Sequence, residues 1–125
     1  MSCTGLSRSA HRAVPERGEV WLARPARDLV GHEQAGARPV IVVSGNEINR
    51  APWPMVIVVP LTTRDRGVAL HVPVEASDGG LRERSVALVE QLQAVDRSRL
   101  VERWGTLEAS TLELIDDRLR IVLDL

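Results

Sequence analysis

The chain has 125 residues, an apolar fraction of 44%, a charged fraction of 26% and a formal net charge of −1. This length is typical of one domain, and the composition differs from that of disordered proteins, which are poorer in apolar residues. The near-neutral charge argues against a general nucleic-acid coat protein, because that class is usually strongly basic. Any contact with a nucleic acid is therefore expected to be local.

The first residues and the single cysteine predict the compartment. Cys3 is the only cysteine in the sequence, so an intramolecular disulfide is impossible and a zinc site cannot be built from thiolates. Arg8, His11 and Arg12 interrupt the stretch in which a secretory signal would need an unbroken apolar run. No later apolar run is long enough to span a bilayer. We expect a cytoplasmic protein with a flexible leader over residues 1–15 and one domain over residues 16–125.

Short β-branched and apolar runs recur after the leader and predict a β-rich body. They cover residues 19–23, 39–44, 56–63, 68–74 and 85–91. The continuously apolar stretches 40–43 and 56–59 are typical of strands covered on both faces, whereas alternation over 68–74 predicts one solvated face. The turn sequences between the runs favour antiparallel neighbours closing toward a small barrel. These turns are Gly45-Asn46, Asp65-Arg66-Gly67 and Asp78-Gly79-Gly80.

The end of the chain changes to a helical period. Leu112, Ile115, Leu119 and Val122 fall at spacings of three, four and three, which places one apolar stripe along a helix. Ser110 and Thr111 are candidate caps at the start of this helix. Its solvent side is acidic, so we expect it to close the barrel and not to bind RNA. Residues 46–54, with two prolines around Trp53, are expected to form a mobile surface loop.

The residues leave few options for catalysis. His11, His32 and His71 lie far apart, with no carboxylate at ligand spacing on a predicted helix, so no metal and no cofactor are expected. A nucleophile elbow and a glycine-rich phosphate loop are absent from the sequence. The remaining feature is the polar loop 31–39, which places Arg38 at the entrance of a buried strand. The bare sequence leaves open whether Arg38 serves a phosphate or only pairs with Glu33.

Four segments appear in an order that resembles the MazF/PemK family of mRNA interferases, and the similarity continues through residues 95–100 and the terminal helix. The segments are Arg17-Gly18-Glu19-Val20-Trp21, the loop 31–39, Val58-Val59-Pro60-Leu61-Thr62 and Ser85-Val86-Ala87-Leu88-Val89-Glu90-Gln91. The resemblance implies a mainly β (α+β) fold, namely a small, partly open SH3-like β-barrel of the CcdB/MazF type with a C-terminal α-helix. It also implies a homodimer that a cognate MazE-like antitoxin holds inactive.

The implied activity is that of a toxin from a type II toxin–antitoxin system: a sequence-specific, ribosome-independent and metal-independent endoribonuclease that cleaves single-stranded RNA. By resemblance Arg38 and Thr62 are the catalytic pair, and Glu33 contributes in some members. His32 departs from the family pattern, because many relatives carry a small hydroxyl residue before the glutamate. The RNA-binding candidates are Gln34, Trp53, Arg64, Arg66, Arg82 and Arg84.

The chemistry of RNA cleavage suits these side chains, because the substrate's 2′-hydroxyl is the nucleophile. Arg38 presents five donors to the phosphate oxygens, Thr62 can donate a hydrogen bond, and the Glu33 carboxylate can accept the 2′-hydroxyl proton. The sequence has no Phe or Tyr, so Trp53 is the best stacking candidate. Trp21, the tryptophan of the first strand, is expected to serve packing or an interface.

Two alternatives remain from the sequence. A CcdB-like gyrase poison would share the fold, but the gyrase poisons that resemble this chain use a tryptophan near the C-terminus, whereas the chain ends Ile121-Val122-Leu123-Asp124-Leu125. A non-catalytic single-stranded RNA-binding module is disfavoured by the scarcity of aromatic residues and by the neutral charge. An RNA cleavage assay separates the three hypotheses.

Overall fold

The computed structural model describes residues 14–25 and 36–125 of the chain. Seven strands, two α-helices and three single turns of 3₁₀-helix follow one another within these residues. The strands are β1 (Glu19–Ala23), β2 (Arg38–Val42), β3 (Met55–Thr62), β4 (Val72–Val74), β5 (Ser85–Ala87), β6 (Gln93–Asp96) and β7 (Leu100–Thr106). The helices are α1 (Asn46–Asn49) and α2 (Ala109–Leu123), and the 3₁₀ turns are Asp78–Gly80, Val89–Gln91 and Arg97–Arg99.

The strands form one antiparallel network in the order β4-β5-β3-β2-β1-β7, with β6 paired to the beginning of β3. The long strand β3 therefore contacts three partners, since β2 borders its middle and β5 its end. Within the described residues β4 and β7 do not pair, so the sheet stays open. The expected mainly β architecture with a C-terminal helix is confirmed, as an open sheet.

Two apolar clusters lie on opposite sides of the strands, because successive side chains of a strand alternate in direction. On β2, Ile41 belongs to one cluster and Val42 to the other, and both are wholly buried. The continuously apolar stretch 40–43 is thus covered on both faces, as predicted. Helix α2 covers the Ile41 side with the predicted stripe, since Ile115 is buried in that cluster and Leu119 and Val122 pack against it.

The N-terminal cap of helix α2 differs from the one predicted. The helix begins at Ala109 with Glu108 at the cap position, so Ser110 and Thr111 lie inside the first turn. The carboxylate of Asp78, which lies elsewhere in the chain, caps the N-terminus of the helix. It accepts a hydrogen bond of 2.8 Å from the Glu108 backbone N–H and one of 2.6 Å from the Thr111 hydroxyl. A negative charge at a helix N-terminus is stabilising.

Several strand boundaries also differ from the predictions. Strand β4 covers only Val72–Val74 of the predicted run 68–74, and β5 covers only Ser85–Ala87 of the run 85–91. Strands β6 and β7 were not predicted, because their exposed faces carry polar and charged side chains that interrupt the apolar pattern.

The prediction of a mobile loop over residues 46–54 is wrong for the beginning of this stretch. Residues Asn46–Asn49 form α1, and Asn49 is fully buried. Its side-chain Nδ2 donates to the Ser44 carbonyl at 3.1 Å and to Asn46 Oδ1 at 3.2 Å. Buried polar groups with such partners anchor a segment to the core. Only the second half of this stretch is irregular.

Two predictions fall largely outside the described residues. They are the leader 1–15 and most of the loop 31–39, since residues 1–13 and 26–35 are not described. The single domain over residues 16–125 stays a prediction. Among the described residues no helix has both the length and the apolar character needed to cross a membrane.

Candidate active site

The register of β2 and β3 brings Arg38 and Thr62 together. Val40 pairs with Pro60, so the same antiparallel register, continued by two residues, sets Arg38 opposite Thr62. Facing residues of an antiparallel pair point to the same side of the sheet. Arg38 is exposed and Thr62 half-buried, each at the end of its strand. The two predicted catalytic residues thus lie near each other, just beyond the last paired residues of β2 and β3.

Both residues line two adjoining cavities, which we call the Arg38 groove. The first has a volume of about 540 Å³ and is lined by Arg38, Pro39, Leu61, Thr62, Thr63, Arg64, Arg66 and Ser85. The second has a volume of about 400 Å³ and is lined by Arg38, Thr62, Arg64, Arg66, Val68, His71, Leu88, Glu90 and Gln91. Four residues are common to the two cavities, three of them arginines. The predicted RNA-binding residues Arg64 and Arg66 therefore lie beside the predicted catalytic pair.

Three arginines give the groove its positive charge. Across the part of the chain that the structure describes, Arg38, Arg64 and Arg66 make no ion pair with a carboxylate. Three guanidinium groups around one concave surface suit the oxygens of a phosphate. Thr62 Oγ1 accepts a hydrogen bond of 3.2 Å from the Arg64 backbone N–H, which leaves the hydroxyl proton for another acceptor.

The second cavity of the groove is also lined by a histidine–carboxylate pair that the sequence did not predict as part of the site. His71 is buried, and its Nε2 lies 3.0 Å from the carboxylate of Glu90, which remains exposed in the groove. Within the described residues the other ring nitrogen, Nδ1, is buried without a hydrogen-bond partner. The histidine therefore uses one ring nitrogen to hold the carboxylate at the groove wall.

Glu90 is held in its ionised form. Burial acts to raise the pKa of its carboxyl group, but the hydrogen bond with His71 and one from its own backbone N–H outweigh burial, so the pKa lies below the ordinary value of 4.5. The second cavity of the groove therefore combines cationic donors with a carboxylate acceptor.

The sequence carried only a weak signal for this pair. Val72 pairs with Ala87 in the β4–β5 hairpin, which places His71 close to Leu88, and the 3₁₀ turn Val89–Gln91 then brings Glu90 back toward the ring. His71 had been expected to be a surface or packing residue. Glu90 lay inside a matched segment, yet no role was assigned to it, because its partner is nineteen positions away.

Two predicted RNA-binding residues lie outside the Arg38 groove. Arg84 is engaged by Glu75 at 3.1 Å and by Asp65 at 3.4 Å, and hydrogen bonds to both carboxylates raise its pKa. Trp53 is exposed but precedes the first residue of β3, whereas Thr62 is its last. Eight strand residues span roughly 23 Å, so Trp53 lies at the far end of the strand.

The remaining candidates are Arg82, which lines a neighbouring cavity, and Glu33 and Gln34, which are outside the described residues. The described residues contain no group of three or more His, Cys, Asp or Glu side chains that could hold a metal ion.

Comparison with known proteins agrees with the expected family. A family model described as "PemK-like, MazF-like toxin of type II toxin-antitoxin system" matches residues 16–123. The chain is 33% identical over 114 residues to Endoribonuclease EndoA of Bacillus subtilis (strain 168), which covers 90% of the chain and 97% of that protein.

Similarity to solved structures also supports the expected family. MazF (Form-I) from Deinococcus radiodurans is similar with a TM-score of 0.72 and 29% identity, covering 91% of this chain and 100% of that one. The MazE–MazF (Form-II) structure from the same organism gives a TM-score of 0.76 and 27% identity, covering 91% and 99%. The family match, the curated relative and the shared fold together show that this chain belongs to the PemK-like, MazF-like toxins of type II toxin–antitoxin systems.

Proposed function

We propose that this endoribonuclease of the toxin family cuts single-stranded RNA at short specific sequences in the Arg38 groove, without a metal ion, by attack of the substrate's own 2′-hydroxyl. The observation that carries the proposal is that Arg38 and Thr62 line one cavity together with Arg64 and Arg66. Because Arg38 and Thr62 each lie at the end of a strand, the sheet fixes the position of both side chains relative to each other. Stabilisation of a transition state requires groups that are held in place in this way.

Arg38 stabilises the charge that develops on the phosphate oxygens when the 2′-oxygen attacks phosphorus. A guanidinium is positively charged, offers donors in a planar fork and has no acceptor, so Arg38 acts as an electrostatic group and not as the base. The Thr62 hydroxyl donates a hydrogen bond to a phosphate oxygen, since its proton is not used within the described part of the protein. Arg64 and Arg66 hold the neighbouring phosphates of the RNA chain.

A carboxylate accepts the 2′-hydroxyl proton. Glu33 is the candidate from the family resemblance, and Glu90 is the candidate from the geometry, since it lies in the same cavity as Arg38 and Thr62. Its lowered pKa keeps it ionised and able to accept a proton at neutral pH. We assign this acceptor role to one of the two and separate them by experiment below.

The partners follow from the relatives. The MazE–MazF structures of Deinococcus radiodurans are similar to this chain over most of its length, so we expect a MazE-like antitoxin to bind here too. We also expect a homodimer acting on RNA in the cytoplasm.

A cleavage assay on a long synthetic RNA with sequencing of the new 5′ ends tests this function. We expect cuts at a short recurrent sequence, unchanged in excess EDTA, and none with Arg38→Ala. Arg84→Ala is the matched control, because Arg84 is paired with two carboxylates outside the groove. Loss of cutting in EDTA that one divalent ion restores would refute the metal-free mechanism. RNA binding without cutting would favour the non-catalytic alternative.

A further inference from the structure

Strand β7 carries an irregularity that redirects one aromatic side chain. Val20 of β1 pairs with Gly105 and Trp21 pairs with Arg103, so Trp104 has no partner in β1. One extra residue of this kind is a β-bulge, and bulges near functional sites re-aim a side chain. Trp104 is half-buried and packs against the core cluster that contains Ile41.

A glycine turn brings an arginine onto this tryptophan. Gly80 has a φ of 79°, and a Cβ at this position would lie 2.2 Å from the carbonyl oxygen of Trp104. Only glycine permits so close an approach between the Asp78–Gly80 turn and β7. Two residues later, the Arg82 guanidinium carbon lies 5.5 Å from the centre of the Trp104 ring. This is a cation–π distance, which fixes the guanidinium over the indole.

The stacked pair lines a third cavity of about 250 Å³, together with Pro39, Thr63, Leu81, Glu83 and Ser85. Pro39, Thr63 and Ser85 also line the larger cavity of the Arg38 groove, so the two spaces adjoin. A volume below the roughly 300–1,000 Å³ of small-molecule sites suits one flat base better than a complete ligand. Among the described residues Arg82 makes no ion pair, so its donors remain available.

We propose that Arg82, held flat by Trp104, reads one guanine base of the bound RNA next to the scissile phosphate. Stacking on an indole fixes the plane of a guanidinium while leaving its N–H edge free, and this edge matches the adjacent O6 and N7 acceptors of guanine. Adenine offers a donor where guanine has O6, so the same fork discriminates against it. The subsite extends the proposed cleavage function, since it determines which sequences are cut.

In this subsite the indole ring of Trp104 acts through its π-face and not through its N–H group. Its Nε1–H is buried and finds no acceptor within the described residues, so a tryptophan here is not explained by a hydrogen bond. Trp104→Phe should therefore keep the guanine preference, whereas Trp104→Leu should lose it, because leucine fills the space without offering a π-face.

The test compares Arg82→Lys with the unchanged protein by sequencing the cleavage ends of a randomised RNA. Lysine keeps the charge but not the planar fork. We expect the preference for guanine at one flanking position to weaken, because the ammonium can still donate to guanine but not as a planar fork, and kcat/KM on the best site to fall by about tenfold or more. Arg84→Lys is the control and should leave the sequence preference unchanged.

Base analogues make the test specific. Replacing that guanine with 7-deazaguanine removes the N7 acceptor, so it should slow cleavage by the unchanged protein more than cleavage by Arg82→Lys. An identical sequence preference in Arg82→Lys, equal penalties from 7-deazaguanine in both proteins, or no guanine preference in the unchanged protein would each overturn the subsite. If the unchanged protein cuts no RNA at all, the proposed function itself fails.

Discussion

Arg38 combines a positive charge with a fixed position, because it begins a strand whose last three residues are buried. Removing one such donor to a developing oxyanion typically lowers kcat by a factor of about 10²–10³. We expect Arg38→Ala to lose at least this much in single-turnover cleavage of a defined RNA, and Thr62→Val to lose about tenfold, since it removes one neutral hydrogen bond. Circular dichroism should show an unchanged fold. Wild-type rates in purified Arg38→Ala would mean that the active site is elsewhere.

Glu33 and Glu90 can be separated by their variants. If Glu90 is the proton acceptor, Glu90→Gln abolishes cleavage and Glu33→Gln retains part of it. His71 then serves as a positioning residue, because its hydrogen bond helps to lower the pKa of Glu90. With that pKa below 4.5, the acid limb of the pH–rate profile lies below this value. His71→Ala should raise the pKa of Glu90 and move the acid limb to higher pH.

Measurement of cleavage rates between neutral and acidic pH in these variants decides the question. His71→Asn, which can still donate a hydrogen bond, is the conservative control and should shift the profile less than His71→Ala. An acid limb that stays in place in His71→Ala, together with full loss of activity in Glu33→Gln, would assign the proton acceptor to Glu33.

At the level of secondary-structure elements, the contact between the Asp78–Gly80 turn and β7 predicts a graded response to glycine substitution. Gly80→Ala combines a positive φ with a clash against Trp104, so we expect a loss of about 2–4 kcal/mol in the free energy of unfolding. Gly67→Ala has a φ of 71° but open space, and should lose about 1 kcal/mol. Gly45→Ala has neither problem and should stay within about 0.5 kcal/mol. Urea unfolding measures all three, and equal losses would exclude the clash.

The junction between β1 and β7 depends on the buried carboxylate of Glu19. It accepts hydrogen bonds of 2.9 Å from the Trp21 indole N–H and of 2.7 Å from Arg103 Nε. The Trp21 ring is itself buried in the apolar cluster that contains Val42, in agreement with the packing role expected for it. Burial acts to raise the pKa of Glu19, but these bonds and one from the Glu16 backbone leave it below 4.5. Glu19→Gln should therefore lose about 2 kcal/mol of unfolding free energy at neutral pH.

The pH dependence of that loss follows from the sign of the shift. A carboxyl whose pKa is lower in the folded state contributes stability above its ordinary value of 4.5, and this contribution disappears as the pH falls through the lowered value. The difference between the unchanged protein and Glu19→Gln should thus be constant near neutrality and shrink in acid. Glu102→Gln, on the exposed face of β7, is the control. A difference that grows in acid would contradict the assignment.

The elements show which parts of the structure a sequence can predict. Strands β2 and β3 were predictable because the apolar stretches 40–43 and 56–59 are buried on both faces apart from Ile57, and α2 because its apolar stripe is periodic. Strand β7 was not, since Val101, Glu102 and Arg103 are exposed and give no alternation. Arg38 and Thr62 were found through motifs at strand ends. The His71–Glu90 pair and the Trp104–Arg82 stack depend on hairpin register and on a bulge, which local patterns do not encode.

For the molecule as a whole, the Arg38 groove predicts the character of its inhibitor. A near-neutral protein with three arginines on one concave wall should be covered by an anionic segment, and we expect the antitoxin to supply a disordered acidic tail with a few apolar anchors. This tail competes with RNA, and its affinity weakens as salt rises. Hydrogen exchange on adding the antitoxin should protect residues 36–38 and 62–66. Protection confined to α2 would show that inhibition is indirect.

The position of β1 between β2 and β7 affects how the protein is made. Glu19 and its partner Arg103 are 84 positions apart, so a ribosome translating this chain leaves one edge of β1 unpaired until β7 has been synthesised. Helix α2, which covers the core, is synthesised later still. An incomplete nascent chain therefore has the proposed catalytic pair, Arg38 and Thr62, but not the complete sheet that supports it. We therefore expect that this nuclease cannot cleave the messenger RNA that encodes it until translation of that RNA is almost finished.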